Sequence, residues 1–190
     1  MPKLWNETVE AHRVAVRDAI LNATAELVAQ RGPASVTMSQ IATEAGIGRA
    51  TLYKYFSDVD AILVAWHGRH VEGHLAELTA IVSGREDVGT RLARALRAYA
   101  EITFHRGRHS ADLAALVHRG EHVVEAEQRL VDLFRGLLAE AAGSGDVRGD
   151  IDPAELAVYC LHAVAAAAGQ PSQAARRRLA EVILDGLRPR

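Results

Sequence analysis

The chain has 190 residues, 49% of them hydrophobic but only 5% aromatic, and a formal net charge of −2. Such a length supports one large or two small domains that fold unaided. The balanced charge excludes a protein that coats nucleic acid indiscriminately, and the single cysteine, Cys160, excludes an intrachain disulfide. Residues 1–30 hold no apolar leader, and no apolar run, 163–168 included, approaches a bilayer span, so a cytoplasmic protein is expected.

In chain order, a first helix is expected from about Val9 to Ala29, with Val16, Ile20, Ala23, Leu27 and Val28 on one face and Gly32-Pro33 as its stop. Thr37 then reads as an N-cap with Gln40 three residues on, a capping box, and Val36 with Ile41 can close a hydrophobic staple over it. Gly46 suits the left-handed backbone that ends this second helix, and Gly48 is a tolerable N-cap for the third. In that third helix Leu52 and Phe56 face inward, which leaves Arg49, Ala50, Thr51, Tyr53, Lys54 and Tyr55 for the outer surface.

Two short helices joined by a tight glycine turn are how a helix-turn-helix presents a recognition helix to DNA. The outer side chains suit a duplex. Arg49 can fork onto a guanine edge or a phosphate, the hydroxyls of Thr51, Tyr53 and Tyr55 can reach phosphate oxygens, Ala50 and the Thr51 methyl can touch a thymine methyl, and Lys54 adds charge. The same spacing also serves an ordinary helical hairpin with a polar outer face. Residues 1–57 carry six basic and five acidic side chains, so affinity has to come from placed contacts and from duplication of the head.

A long helix runs from Ser57 or Asp58 to about Val82, opened by a cap formed from Ser57 and Asp60, with Ile62, Leu63, Trp66, His70 and Leu78 on its inner side. It belongs partly to the head and partly to the body behind it, which makes it the mechanical link between the two. Further helices are expected over 88–106, 110–119, 121–142, 153–168 and from about Ser172 to the end. Asp152-Pro153-Ala154-Glu155 is a helix start with an N-cap aspartate and proline at the first position. No strand pattern, internal repeat or low-complexity segment is visible. The fold class expected is all-α with about nine helices: a three-helix head over 9–57 and a helical regulatory and dimerisation body over 58–190.

Residues 11–64, above all TMSQIATEAGIGRATLYKYF followed by SDVDAIL, resemble the DNA-binding domain of the TetR family of bacterial transcriptional repressors. By that resemblance Thr37 and Ser39 touch DNA from the first helix of the motif, and Arg49, Ala50, Thr51, Tyr53, Lys54 and Tyr55 touch it from the recognition helix. One departure stands out. Where the family usually places a lysine near the start of the next helix, this chain has Val59 between Asp58 and Asp60, so that lysine's phosphate contact is not carried over.

The last two helices combine an alanine-rich stretch from Val164 to Ala168 with a narrow apolar stripe of Leu179, Val182, Ile183 and Leu187. These either close the subunit's own core or form a four-helix interface with a second copy, and the resemblance implies the interface. A twofold dimer implies a palindromic operator with half-sites about 34–36 Å apart, or a multiple of that.

Trp66, His70, Leu96, Tyr99, Thr103, Phe134, Tyr159 and His162 are candidate ligand contacts, since an apolar cavity with a few polar groups is what a small-molecule sensor needs. Any helical core needs the same residues; the resemblance implies an inducer pocket in this half. His67, His70 and His74 lie on one helix, but no thiol or placed acid joins them, so no metal is expected, and no cofactor. Glu125 and Glu127 read as solvated charge. With no phosphate loop, nucleophile elbow or activated cysteine, an enzyme is not expected. The function expected is a homodimeric repressor released from double-stranded DNA by a small-molecule inducer, with no membrane partner. The alternative is a helical small-ligand- or metal-binding protein whose head no longer binds DNA.

Overall fold

The computed structural model describes the backbone of residues 2–106 and 121–189 and the side chains of residues 8–105 and 124–189. Among the described residues there are eight α-helices and no strand: α1 (Pro2–Arg31), α2 (Met38–Glu44), α3 (Arg49–Tyr55), α4 (Val59–Val82), α5 (Val88–Arg106), α6 (Glu121–Ser144), α7 (Pro153–Ala165) and α8 (Gln173–Gly186), with 3-10 turns at Pro33–Ser35 and Ala166–Gly169. The helix expected over 110–119 lies outside the described residues.

The first compact unit holds residues 2–70. Its helix α1 begins earlier than the apolar periodicity suggested, at Pro2, a residue whose fixed φ suits a first helical position. Gly32 ends it with φ 77°, donating its N–H to the Val28 carbonyl at 2.9 Å. Ile20 and Leu27 of α1, Ile41 of α2, Leu52 of α3 and Ile62 of α4 interlock in one buried cluster. Ala23 is buried too, whereas Val16 and Val28 are half-buried. Thr24 is also buried on α1 and donates to the Ile20 carbonyl at 2.8 Å, so its hydroxyl costs the core nothing unsatisfied. This unit reaches past the expected boundary at 57/58 because Ile62, Leu63 and Trp66 bury against the head rather than the body.

The second unit holds residues 71–106 and 121–189. Leu92 and Leu96 of α5, Phe134, Leu137 and Leu138 of α6, Val164 of α7 and Ile183 of α8 share its core. Helix α7 starts as its sequence dictates: Asp152 accepts from the Ala154 N–H at 2.7 Å and Pro153 sits at the first position. Ser172 caps α8 by accepting from Ala175 N–H at 3.2 Å. Arg91 is 9% exposed yet fully engaged, donating to the Val82 carbonyl at 2.7 Å, to the Glu86 carbonyl at 3.0 Å, and in a fork to Glu140. It thereby caps the C-terminal end of α4, where carbonyls lack intrahelical partners.

Candidate nucleic-acid interface and ligand cleft

The head geometry arises from local chemistry. Thr37 and Gln40 close the capping box: Gln40 N–H donates to Thr37 Oγ1 at 3.4 Å, and Thr37 N–H donates to Gln40 Oε1 at 2.9 Å. The Thr37 hydroxyl also donates to Gln40 Oε1 at 2.9 Å, so both of its donors serve the cap. Helix α2 ends in a Schellman arrangement. Gly46, at φ 67°, donates to Thr43 O at 3.1 Å and Ile47 donates to Ala42 O at 3.0 Å. That left-handed residue turns the chain so that α3 can start immediately, with Gly48 in extended backbone accepting from Leu52 N–H at 3.0 Å.

Leu52, at 0% exposure, and Phe56, at 6%, anchor α3 to the head. The guanidinium of Arg17 lies 4.7 Å over the Phe56 ring and covers its outer side. Arg49, Ala50, Tyr53 and Lys54 are left exposed on α3, with Thr37 and Ser39 exposed at the start of α2. Thr51 is half-buried. Tyr55 is half-buried as well and packs on the head core, so its hydroxyl projects from a fixed ring rather than from a free side chain.

The start of α4 differs from the expected cap. Asp58, not Asp60, accepts from the Ala61 N–H at 2.8 Å, and Ser57 donates its hydroxyl to Asp58 at 2.8 Å. The reason is register: α4 begins at Val59, which makes Asp58 the N-cap and Asp60 an acid in the first turn. The Ala61 N–H first, and the Ser57 hydroxyl second, hold the Asp58 carboxyl below its ordinary 3.8. The acid before Val59 is thus a structural cap committed to its own helix.

The second unit contains a narrow cleft, about 50 Å³, lined by Val71, His74, Leu75 and Leu78 of α4, Tyr99 and Ile102 of α5, and Ala126, Glu127 and Leu130 of α6. Of the candidate ligand contacts, Tyr99 lines it, and Phe134 packs behind Tyr99 with ring centroids 6.0 Å apart. Thr103 stands one turn beyond Tyr99 on the same helix, and its Oγ1 is buried without a hydrogen-bond partner among the described residues. Leu96 is fully buried in the core. Trp66 and His70 stack on each other 6.0 Å apart within the first unit. Tyr159, 49% exposed, and His162 lie on the outer face of α7, away from the cleft lining. Helix α7 carries apolar side chains around most of its circumference, so sequence alone did not say which face is covered. The other residues lining the cleft, Val71, His74, Leu75, Leu78, Ile102, Ala126, Glu127 and Leu130, were not among the candidate ligand contacts. Glu127 was read as solvated charge, and it is exposed, standing at the rim of the cleft one helical turn before the buried Leu130.

The stripe expected to face a second copy divides in two. Val164, Ile183 and Leu187 are at most 1% exposed in the single subunit, so they have no surface to offer a partner. Leu179 is half-buried against the core. Val182 is 65% exposed, Ala168 is exposed, and with Val158 at 46% and Tyr159 at 49% they leave apolar surface on α7, α8 and the turn between them. Cys160 is buried, and burial pushes its thiol up to about 12, which makes it an inert packing group. Among the described residues no three His, Cys, Asp or Glu side chains are arranged to hold a metal ion, and no helix is long and apolar enough to cross a membrane.

Both halves of the chain match known families. The family description "Bacterial regulatory proteins, tetR family" matches residues 20–66, and "Transcriptional regulator SbtR-like, C-terminal domain" matches residues 89–189. An uncharacterized HTH-type transcriptional regulator of Mycobacterium tuberculosis is 49% identical over 49 residues, which is 26% of this chain and 24% of that protein, so the match spans about a quarter of the relative's length. The fatty acid metabolism regulator protein of Bacillus subtilis is 20% identical over 140 residues, covering 70% of this chain and 71% of that one. Among solved structures, a TetR-family regulator from Pectobacterium atrosepticum superposes with a TM-score of 0.74 at 24% identity, covering 93% of this chain and 96% of the other. Bacillus subtilis FadR in complex with stearoyl-CoA gives 0.62 at 16% identity, covering 88% and 95%. With an N-terminal match on the helix-turn-helix and a C-terminal match over more than half its length, the chain belongs to the TetR family of transcriptional regulators.

Proposed function

We propose that this regulator is a homodimeric repressor that binds a palindromic operator and is released by a small molecule. The observation that carries the reading is the outward face of α3, where Arg49, Ala50, Tyr53 and Lys54 stand exposed on a helix anchored by a fully buried Leu52. Such a helix enters a major groove with its N-terminal side chains on base edges. The apolar surface around Val158, Tyr159 and Val182 supports a twofold contact between copies, because exposed aromatic and aliphatic groups that share one face mark an association site. Two heads then meet successive major grooves about 34–36 Å apart.

The cleft among α4, α5 and α6 supports a ligand site in the second unit. At about 50 Å³ it is far below the several hundred Å³ of a formed ligand pocket, so a ligand has to part the helices that line it. Helix α4 supplies Leu75 and Leu78 to the cleft and Ile62 and Leu63 to the head. A ligand that widens the cleft shifts this continuous helix, and the DNA-competent population falls. Fluorescence anisotropy with the DNA upstream of the chain's own gene tests the reading. Sequence-selective, salt-dependent binding that weakens in Arg49→Ala supports it, and absence of any selective binding refutes it. Operator and ligand must weaken each other by the same factor.

A further inference from the structure

The lining of the cleft has an unequal chemistry. Val71, Leu75, Leu78, Ile102 and Leu130 make its walls apolar, His74 and Tyr99 add polar atoms, and Glu127, exposed at the rim, is the one carboxylate among the described lining residues. Among the described residues no basic side chain pairs with Glu127. The nearest arginine on its own helix, Arg129, is already engaged by Glu72 of α4. An apolar wall rewards removal of hydrocarbon from water, at about 25 cal/mol per Å². A lone carboxylate on its lining attracts a cation and repels an anion, and the effect strengthens as the ligand displaces water. The Arg129–Glu72 strap that joins α4 to α6 is half-exposed on both sides, and such pairs hold weakly, so it does not prevent the two helices from parting.

We propose that the cleft selects an amphipathic organic cation, with its apolar body against Leu75, Leu78, Ile102 and Leu130 and an ammonium-type head on the Glu127 carboxylate. The proposal rests on reading this cleft as the effector site, and it names the ligand class that site takes. Such a ligand is opposite in charge to the stearoyl-CoA held by the Bacillus subtilis neighbour.

The test uses three ligands that share one tail: decylammonium, decanoate and decanol, each below its micellar concentration. Isothermal titration calorimetry on the full chain without DNA reads their affinities. Decylammonium is expected to saturate and to bind about tenfold tighter than decanoate, the scale of one charge-assisted contact at a partly hydrated rim. Glu127→Gln is expected to erase that gap while leaving decanol unchanged. Equal or tighter binding of decanoate, a gap that survives Glu127→Gln, or no saturable binding of decylammonium would overturn the proposal. Operator affinity is measured separately. If decylammonium binds with the expected preference and leaves operator affinity unchanged, the ligand class stands and the effector reading fails.

Discussion

Arg91 and Glu140 form one ion pair, yet their substitutions are expected to differ sharply. The Arg91 side chain is 11% exposed and Glu140 is 55% exposed. In Arg91→Met the hydrocarbon stem is kept and the guanidinium is lost. The Val82 and Glu86 carbonyls then lose charged donors held at 2.7 and 3.0 Å, and the C-terminal end of α4 is left open. Charge-assisted hydrogen bonds contribute about 1.5–3 kcal/mol each, and water recovers part of the loss, so Arg91→Met is expected to destabilise by about 2–4 kcal/mol. In Glu140→Gln the exposed partner changes while Arg91 keeps both carbonyls, and the cost is that of a surface ion pair, about 0–1 kcal/mol. The double variant should match Arg91→Met alone within about 0.5 kcal/mol, because the fork is already gone. Urea melts at one fixed protein concentration measure all three, since association makes apparent stability concentration-dependent. Equal losses from the two single substitutions would show that the ion pair, rather than the carbonyl cap, holds this corner, and the reasoning would fail.

Three further outcomes are expected. Arg49→Ala should lose about 1–3 kcal/mol of operator discrimination, whereas Lys54→Ala should weaken all sequences alike and lower the salt slope by about one, both read by anisotropy across a salt series. Val182→Glu should dissociate the proposed dimer in sedimentation without loss of helix content, since Val182 is 65% exposed. Its neighbour Ile183 is 1% exposed, and Ile183→Ala should instead cost the fold about 2–5 kcal/mol. The caps Asp58 and Asp87 both have folded-state carboxyls held below the ordinary 3.8, Asp58 chiefly by the Ala61 N–H and Asp87 by the Thr90 hydroxyl and N–H. A depressed carboxyl contributes stability that is fully present above its unfolded value and is lost as pH falls through the folded one. Asp58→Asn with Asp87→Asn should therefore flatten the fall in stability below about pH 4, followed by thermal melts at successive pH values, and an unchanged acid limb would refute the capping role.

Much of the head was legible in the sequence because its determinants are local. Thr37 and Gln40 sit three apart and cap each other, Gly46 supplies the one backbone conformation the turn requires, and Leu52 with Phe56 fixes which side of α3 is buried. Each of these depends on residues within one or two helical turns. Asp152 and Ser172 announced α7 and α8 for the same reason. The cap at the start of α4 was read one residue early, as Ser57 with Asp60, since several acids and a serine compete for one cap and only the first buried turn of α4 decides among them.

The body was legible as helices but not as surfaces. The sequence shows that Val164, Ile183 and Leu187 are apolar residues of the last two helices, and it shows the same of Val158, Tyr159 and Val182. Whether a stripe meets its own subunit or is left outside depends on which helices pack against it, and that is set by contacts between residues tens of positions apart. Tertiary structure placed the first set in the core and the second on the exterior. It also brought Glu127 to an apolar cleft with Leu75 and Ile102, a neighbourhood no spacing along one helix encodes. Backbone hydrogen bonds and caps are short-range and written in sequence; burial and the company a charge keeps are long-range, and only the folded chain fixes them.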